Sequence, residues 1–148
     1  MKHLLENTRV LVADGAHAFV LRNTGDGAFP NLRLERSYGQ DNLATRDQGR
    51  DRPGRMNDNR GRKAADYHRI AEDRFVHWIA DDMAKDLKAG AFTTFVLAAP
   101  AIALGEFRKA CTNALMKATL IEIDKDLTNH PIDKIEKIVV KALEEAKA

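Results

Sequence analysis

The strongest chemical signal in this sequence is a cluster of cationic side chains in residues 45–63. The segment holds six Arg, one Lys and three Asp, so its formal charge is +4, whereas the whole chain carries +2. Guanidinium groups bind phosphate through paired hydrogen bonds, and exposed cationic clusters bind nucleic acid by releasing counterions. The sequence therefore predicts binding of RNA phosphates by Arg46, Arg50, Arg52, Arg55, Arg60, Arg62 and Lys63.

The alternative for this segment is a solvated loop whose Arg and Asp side chains pair with one another. Met56 is its only large apolar side chain, so the segment cannot build a core of its own. It also lacks the aromatic side chains that stack on bases. Any contact with RNA through this segment would therefore be mainly electrostatic and sensitive to salt.

Three carboxylates raise a second chemical hypothesis, a metal-dependent nuclease. Asp14 and Asp124 each follow a predicted strand, and Glu106 lies near the start of a predicted helix. A nuclease of this type needs several carboxylates that converge on divalent metal. The alternative is structural: Asp14 and Gly15 form a common turn dipeptide, and Asp124 lies in a loop or caps a helix.

The remaining reactive residues give no comparable signal. His68 and Glu72 share a helix face, but no further His or Cys stands at a ligand spacing, so we predict no metal or other cofactor. Cys111 lies on an apolar helix face and is expected to be a small core residue. The chain contains neither a Gly-x-Ser-x-Gly elbow nor a phosphate-binding Gly-x-x-x-x-Gly-Lys, so no recognised motif predicts an enzyme.

Hydrophobic periodicity places these residues on a series of strands and helices. Apolar runs at 9–13 and 16–22, with alternation at Leu32 and Leu34, predict three antiparallel strands. A loop at about 39–65 follows, and then a helix from Asp66 to about Lys88 that ends before Gly90. The second half predicts a strand at 92–99, a helix from about Leu104 that includes Ala118, a strand at 120–123 and a final helix that begins at Pro131, with a buried face formed by Ile132, Ile135, Ile138 and Ala142.

This order predicts an α/β fold. An antiparallel meander is followed by strands that alternate with helices, which favours parallel pairing in the second half. The expected architecture is a mixed five-stranded sheet with helices on its faces, similar in element order to ribonuclease-H-like folds.

Length and composition predict one domain over residues 1–148. A single cysteine fits a reducing compartment, and neither a signal peptide nor an apolar run of about 20 residues is visible. We therefore expect a cytoplasmic protein without a membrane partner. The nearly balanced total charge disfavours a generally basic nucleic-acid binder and makes the local cluster more informative.

Five segments, in this order along nearly the whole chain, resemble the bacterial host-attachment protein family. They are Val12-Ala-Asp-Gly-Ala-His-Ala18, Arg46-Asp-Gln-Gly-Arg-Asp-Arg-Pro-Gly-Arg55, His68-Arg-Ile-Ala-Glu-Asp-Arg-Phe75, Leu97-Ala-Ala-Pro100 with Leu104-Gly-Glu-Phe-Arg-Lys109, and Ile123-Asp-Lys-Asp-Leu-Thr-Asn-His-Pro131. The family takes its name from attachment of bacteria to host cells, which is a phenotype and not a molecular activity.

The family is also similar to the middle domain of archaeal and eukaryotic peptide-release factors. That resemblance implies a ribonuclease-H-like sheet whose functional loop precedes a long helix, with ribosomal RNA as a partner. In release factors this loop carries Gly-Gly-Gln, which this chain lacks. Gln48 and Gly49 stand at the corresponding place, so the resemblance adds them to the RNA-binding residues and does not support hydrolysis of peptidyl-tRNA.

Three functions remain open from the sequence. The first is a protein that binds RNA or the ribosome and acts in translation stress or rescue. The second is the metal-dependent nuclease. The third is a non-catalytic interaction module that binds an acidic protein partner and influences attachment to host cells.

Overall fold

The computed structural model describes residues 2–39 and 61–146, and for residues 61–69 it describes the backbone alone. The strands in these ranges are β1 (Arg9–Ala13), β2 (His17–Asn23), β3 (Leu32–Gly39), β4 (Phe95–Ala99) and β5 (Thr119–Asp124). The helices are α1 (Gly61–Lys88), α2 (Ala101–Ala110), α3 (Asn113–Ala118) and α4 (Ile132–Glu145).

The strands form one sheet in the order β3-β2-β1-β4-β5. The pairs β1–β2 and β2–β3 are antiparallel, whereas β1–β4 and β4–β5 are parallel. The predicted mixed sheet, with a meander followed by parallel strands, is therefore confirmed. The comparison with ribonuclease-H-like folds rests on element order alone and stays a prediction.

Both faces of the central strands are buried, which divides the core into two layers. On β1, Leu11 packs beneath α1, whereas Val10 and Val12 pack beneath α4. On β4, Phe95 and Leu97 alternate with Val96 in the same way. Because successive side chains of a strand point to opposite faces, a continuous apolar run is what a strand covered on both sides requires.

Helix α1 begins at Gly61, five positions before the predicted start at Asp66. Asp66 therefore lies within the helix and does not cap it. The Arg, Lys and Ala residues after Gly61 are good helix formers, and this propensity extends the helix backwards. The predicted end is confirmed: Gly90 has a φ of 85°, and the Ala91 amide donates to the Asp86 carbonyl, which closes the helix C-terminus.

The helix predicted from about Leu104 through Ala118 is two helices. Helix α2 already begins at Ala101, directly after Pro100, and α3 begins after Thr112. The Thr112 hydroxyl accepts a hydrogen bond from the Leu115 amide and so caps α3. The apolar spacing continues across the break, which is why the pattern alone predicted one helix.

Two further boundaries differ from the prediction. Strand β4 begins at Phe95 and not at Phe92, whose ring instead stacks on that of Phe95 at 5.7 Å. Pro131 directly precedes α4 and is not its first residue. The predicted final strand at 120–123 lies within β5 and is confirmed.

The buried face of α4 is formed by Ile135, Val139 and Leu143. Of the predicted face, only Ile135 is buried, whereas Ile132, Ile138 and Ala142 are partly buried. Several apolar positions on this helix fit a helical spacing, so the sequence did not determine which stripe meets the sheet.

No helix within residues 2–39 and 61–146 is long and apolar enough to cross a membrane.

Replacing Ile135 by Ala should lower the free energy of unfolding by about 2–5 kcal/mol, because this side chain is only 3% exposed and leaves a cavity. Ile138→Ala is the matched control: it removes the same atoms from the same helix but from a partly exposed position. Denaturant unfolding should give a clearly smaller loss for Ile138→Ala. Equal losses would contradict the observed orientation of α4.

Candidate functional site

The carboxyl edge of the sheet, where β1, β3, β4 and β5 end, is the candidate functional site. In register, Ala13 of β1 faces Ala18 of β2, and His17 of β2 faces Gly39 of β3. The end of β3 therefore lies at the same edge as the ends of the parallel strands. Open α/β sheets bind their ligands outside the carboxyl ends of these strands.

Helix α1 also starts from this edge. A Cβ atom at Gly15, in the turn between β1 and β2, would lie 2.8 Å from the Glu72 carboxyl carbon. The early part of α1 therefore touches the turn that follows β1. After α1 the chain returns to the opposite edge, where Phe95 of β4 faces Arg9 of β1.

Residues 40–60 join the end of β3 to the start of α1. The connection predicted at about 39–65 is therefore shorter at its C-terminal end, since α1 begins at Gly61. Arg62 and Lys63 belong to the first turn of α1. The other predicted RNA-binding residues lie outside the described residues: Arg46, Gln48, Gly49, Arg50, Arg52, Arg55 and Arg60.

A polar network ties the end of β3 to α1. The Arg36 guanidinium donates to the Tyr38 hydroxyl at 2.7 Å and to an Asp86 carboxylate oxygen at 2.8 Å. The Tyr38 hydroxyl in turn donates to Asp82 at 2.9 Å. These bonds join an edge strand to the helix that follows the 40–60 segment, so they hold both flanking elements in one arrangement.

The Tyr38 ring adds an apolar contact to this network. It meets the Trp78 ring edge to face, with centroids 5.0 Å apart. Burial raises the pKa of Tyr38 to about 12; the Arg36 hydrogen bond opposes this shift and the Asp82 bond supports it. The phenol therefore stays neutral at physiological pH and continues to donate to Asp82.

No sequence pattern indicated this network. Tyr38 and Asp82 are 44 residues apart in the chain, and Arg36 and Asp86 are 50 apart. No spacing rule connects residues at such separations. A polar aromatic residue at the end of an edge strand was the only local signal.

Asp14 is a turn residue, as its structural alternative predicted. One carboxylate oxygen accepts hydrogen bonds from the backbone amides of Ala16 and His17, each at 2.7 Å. The other lies 3.4 Å from the Thr128 hydroxyl, which belongs to the loop after β5. The carboxylate therefore orders the turn between β1 and β2 and connects it to the neighbouring loop.

Glu106 lies between α2 and α1. Its carboxylate is 3.3 Å from the His77 ring and accepts from Lys109 at 3.0 Å, and the Lys109 bond lowers the pKa of Glu106.

Asp124 ends β5, and β4 separates that strand from β1. Because neighbouring strands lie about 4.8 Å apart, about 10 Å separates the strand carrying Asp124 from the strand before Asp14.

The nuclease hypothesis requires Asp14, Glu106 and Asp124 to meet at one ion. Among the side chains that the structure describes, in residues 2–39 and 70–146, no group of three His, Cys, Asp or Glu is arranged to hold a metal. Asp14 and Glu106 instead have separate partners in the turn and between the helices. The described geometry therefore does not support a metal centre formed by these three residues.

The Cys111 thiol is half-buried against the core layer beneath α1. Burial raises its pKa to about 11, so it is protonated at neutral pH. A protonated thiol is a poor nucleophile. This agrees with a structural role, although Cys111 terminates α2 and does not lie inside a helix.

The fold is an α/β domain whose strand β3 ends, and whose helix α1 begins, at the carboxyl edge of the sheet. Residues 7–139 match the model of the family described as bacterial archaeo-eukaryotic release factor family 12. The chain therefore belongs to this family, which supports a translation-related role. The predicted similarity to release factors is confirmed, whereas a link to host attachment stays a prediction.

Among solved structures, the chain is similar to Dom34 of S. cerevisiae, described as a translation termination-like factor involved in RNA quality control pathways and interacting with Hbs1. The TM-score is 0.48 and the sequence identity is 13%. The match covers 95% of this chain and 36% of the Dom34 chain, so the chain spans about a third of that protein. No curated protein sequence matches the chain.

Tyr38→Phe should cost about 0.5–1.5 kcal/mol of stability at neutral pH, because Asp82 and Arg36 lose a partner while the ring contact with Trp78 remains. The folded pKa of Tyr38 lies above the ordinary value of 10.0, so its contribution is complete below about pH 10 and is lost as pH rises towards 12.

Absorbance titration of phenolate tests the pH dependence directly. The chain has two tyrosines, so Tyr67→Phe is the matched control and should retain a late titration near pH 12. Tyr38→Phe should lose this step. A late step that persists in Tyr38→Phe would contradict the assigned environment of Tyr38.

Proposed function

We propose that this protein binds RNA on the ribosome and acts in translation stress or rescue in the cytosol. The contact is made by the basic residues of the segment that begins after β3 and ends in the first turn of α1. Family membership supports the translation context. The observation that carries the proposal is the origin of a segment with a charge of +4 at the carboxyl edge of the sheet.

Strand β3 and helix α1, which flank the basic segment, are held in a fixed arrangement. Gly39 ends β3 next to His17, and the Arg36–Tyr38–Asp82 network holds this end against α1. A binding segment on a rigid support loses less conformational entropy when its partner binds. The guanidinium groups of Arg50, Arg52 and Arg55 would neutralise RNA phosphates, with Gln48 and Gly49 at the position of the release-factor Gly-Gly-Gln.

The absence of Gly-Gly-Gln from the sequence favours binding over hydrolysis of peptidyl-tRNA. The described part of the carboxyl edge adds no second candidate chemistry, because Asp14 is engaged with its own turn. An acidic protein is the competing partner for the arginines. It would bind the same segment but would not require ribosomes.

The triple variant Arg50→Ala, Arg52→Ala and Arg55→Ala should reduce co-sedimentation with ribosomes by at least tenfold at low salt. It should also flatten the salt dependence, because each lost phosphate contact lowers the slope of log affinity against log salt by about 1. The measurement is the fraction of protein that sediments with purified ribosomes at increasing salt concentrations.

The matched control removes three lysines from the exposed face of α4: Lys134, Lys137 and Lys141. It lowers the net charge by the same amount on a different surface and should sediment like the natural protein. If the natural protein does not associate with ribosomes at low salt, the proposed function is wrong. If both triple variants lose binding equally, the arginines act only through total charge.

A further inference from the structure

Three arginines lie side by side across β1, β2 and β3 at the amino edge, the edge of the sheet opposite the carboxyl edge. Arg9 faces Arg22 in the β1–β2 register, and Arg22 faces Arg33 in the β2–β3 register. Adjacent strands are about 4.8 Å apart, so the row is about 10 Å wide.

The row lies on the α1 side of the sheet. Directly paired residues on neighbouring strands share a face, and residues two apart on one strand share it too. Arg9 therefore shares the face of Leu11, and Arg22 that of Val20, both of which belong to the core layer beneath α1. All three arginines therefore lie on the α1 side of the sheet, near its amino edge.

Arg9 is a structural residue. It is only 6% exposed, and its guanidinium donates to Glu35 at 2.8 Å and to the Asn7 carbonyl at 2.7 Å. The guanidinium also lies over the Phe92 ring, 5.7 Å from its centroid. Its charge and its donors are therefore satisfied within the protein.

Arg22 and Arg33 have no comparable partners. Arg22 makes one long hydrogen bond of 3.4 Å, to the Asn7 side chain, and Arg33 is exposed. In the part of the chain that the structure describes, no ion pair joins either of them to a carboxylate. Two carboxylates that reach this face, Glu35 and Asp86, are bound by Arg9 and Arg36.

Acidic residues of α4 lie on the other side of β3. Asp133 and Glu136 line a groove along the outer edge of this strand, which Arg33 borders. Glu136 is engaged there, because it accepts a hydrogen bond from the Leu32 amide at 2.8 Å. The α4 carboxylates therefore do not form an ion pair with Arg33.

The pairing of Arg22 with Arg33 works against stability. Like charges directly opposite each other on neighbouring strands repel, and here no bridging carboxylate offsets the repulsion. The register places these two arginines opposite each other on one face, so their long side chains start close enough to reach one anionic ligand. Guanidinium groups favour phosphate because their planar donors match its oxygens.

An exposed aromatic side chain lies in the turn that joins the two strands carrying this pair. Phe29 is 81% exposed and lies in the turn that connects β2 to β3, beyond Arg22 and Arg33. Its backbone is ordered, because the Phe29 amide donates to Asp26 at 2.8 Å and its carbonyl accepts from the Asp26 amide at 3.2 Å. Cationic residues beside an aromatic ring are the combination that binds single-stranded nucleic acid.

We propose that Arg22, Arg33 and Phe29 form a second RNA contact, specific for a single-stranded segment. The arginines bind neighbouring phosphates and the Phe29 ring stacks on a base. This inference rests on the proposed function and deepens it. β1 has five residues and spans about 17 Å, so one RNA that contacts both edges of the sheet must be extended over at least this distance.

The test measures binding of the full chain to a fluorescently labelled single-stranded oligouridylate at several KCl concentrations. Arg22→Ala with Arg33→Ala should lower the slope of log affinity against log salt by about 1.4, the value for two phosphates on a single strand. Lys137→Ala with Lys141→Ala, which removes the same charge from α4, should leave the slope unchanged.

Phe29→Ala should weaken binding by about 5- to 150-fold without changing the salt slope, because stacking releases no counterions. Met116→Ala, at another exposed apolar residue, is its control and should bind like the natural protein. Thermal melting should show that all four variants remain folded, since each changed side chain is at least partly exposed.

An unchanged slope for the arginine variant, or unchanged affinity for Phe29→Ala, would overturn the proposal. If polyglutamate binds as tightly as the oligouridylate and Phe29→Ala is neutral, the surface recognises acidic protein and the proposal is wrong. If only the Arg50, Arg52 and Arg55 variant loses binding, the proposed function stands and the second contact is overturned. If the natural protein does not bind the oligouridylate, the second contact is also overturned, while ribosome co-sedimentation decides the proposed function separately.

Discussion

The position of β1 at the centre of the sheet is the constraint on which the rest of the structure depends. β1 pairs antiparallel with β2 on one side and parallel with β4 on the other, and all five of its residues are buried. One strand therefore joins the meander to the parallel half. Because both halves align with β1, the ends of β1, β3, β4 and β5 meet at one edge, and the amino edge lies opposite.

The burial of β1 explains how polar groups are distributed around the sheet. A strand covered on both faces can place polar side chains only where it begins or ends. At its start, Arg9 is buried but bonded to Glu35 and to a backbone carbonyl. At its end, Asp14 binds the amides of its own turn. Neither group adds an unsatisfied charge to the core.

The outer strand β3 is held differently. It lies at the edge of the sheet and only part of it is buried, so apolar packing alone restrains it weakly. Arg36 and Tyr38 add charge-assisted hydrogen bonds to α1, and Trp78 adds an aromatic contact. Partly buried bonds of this kind are directional, so they fix the position of the end of β3 relative to α1 and also stabilise the strand. The segment that carries the basic cluster starts from that point.

The two groups of arginines differ in how the sequence brings them together. The first group is clustered within residues 45–63. At the amino edge, Arg22 and Arg33 are placed by strand register. The first group was evident from composition. The second was not, because Arg22 and Arg33 are eleven positions apart and become neighbours only when the strands pair.

Apart from the division of the helix after β4, the sequence alone was sufficient for the order of strands and helices, the mixed sheet, the end of α1 before Gly90 and the family resemblance. These features depend on short-range periodicity, turn residues and motifs, which a single segment of chain contains. The tertiary structure decided which stripe of α4 is buried, where the helix after β4 divides, and that Tyr38, Asp82 and Asp86 form one network with Arg36. It also decided that Asp14 and Glu106 have separate partners. The α4 stripe and the network depend on contacts between residues far apart in the chain, and local pattern carries no information about such contacts. The division after β4 rests on the local Thr112 cap, which the continuing apolar spacing obscured.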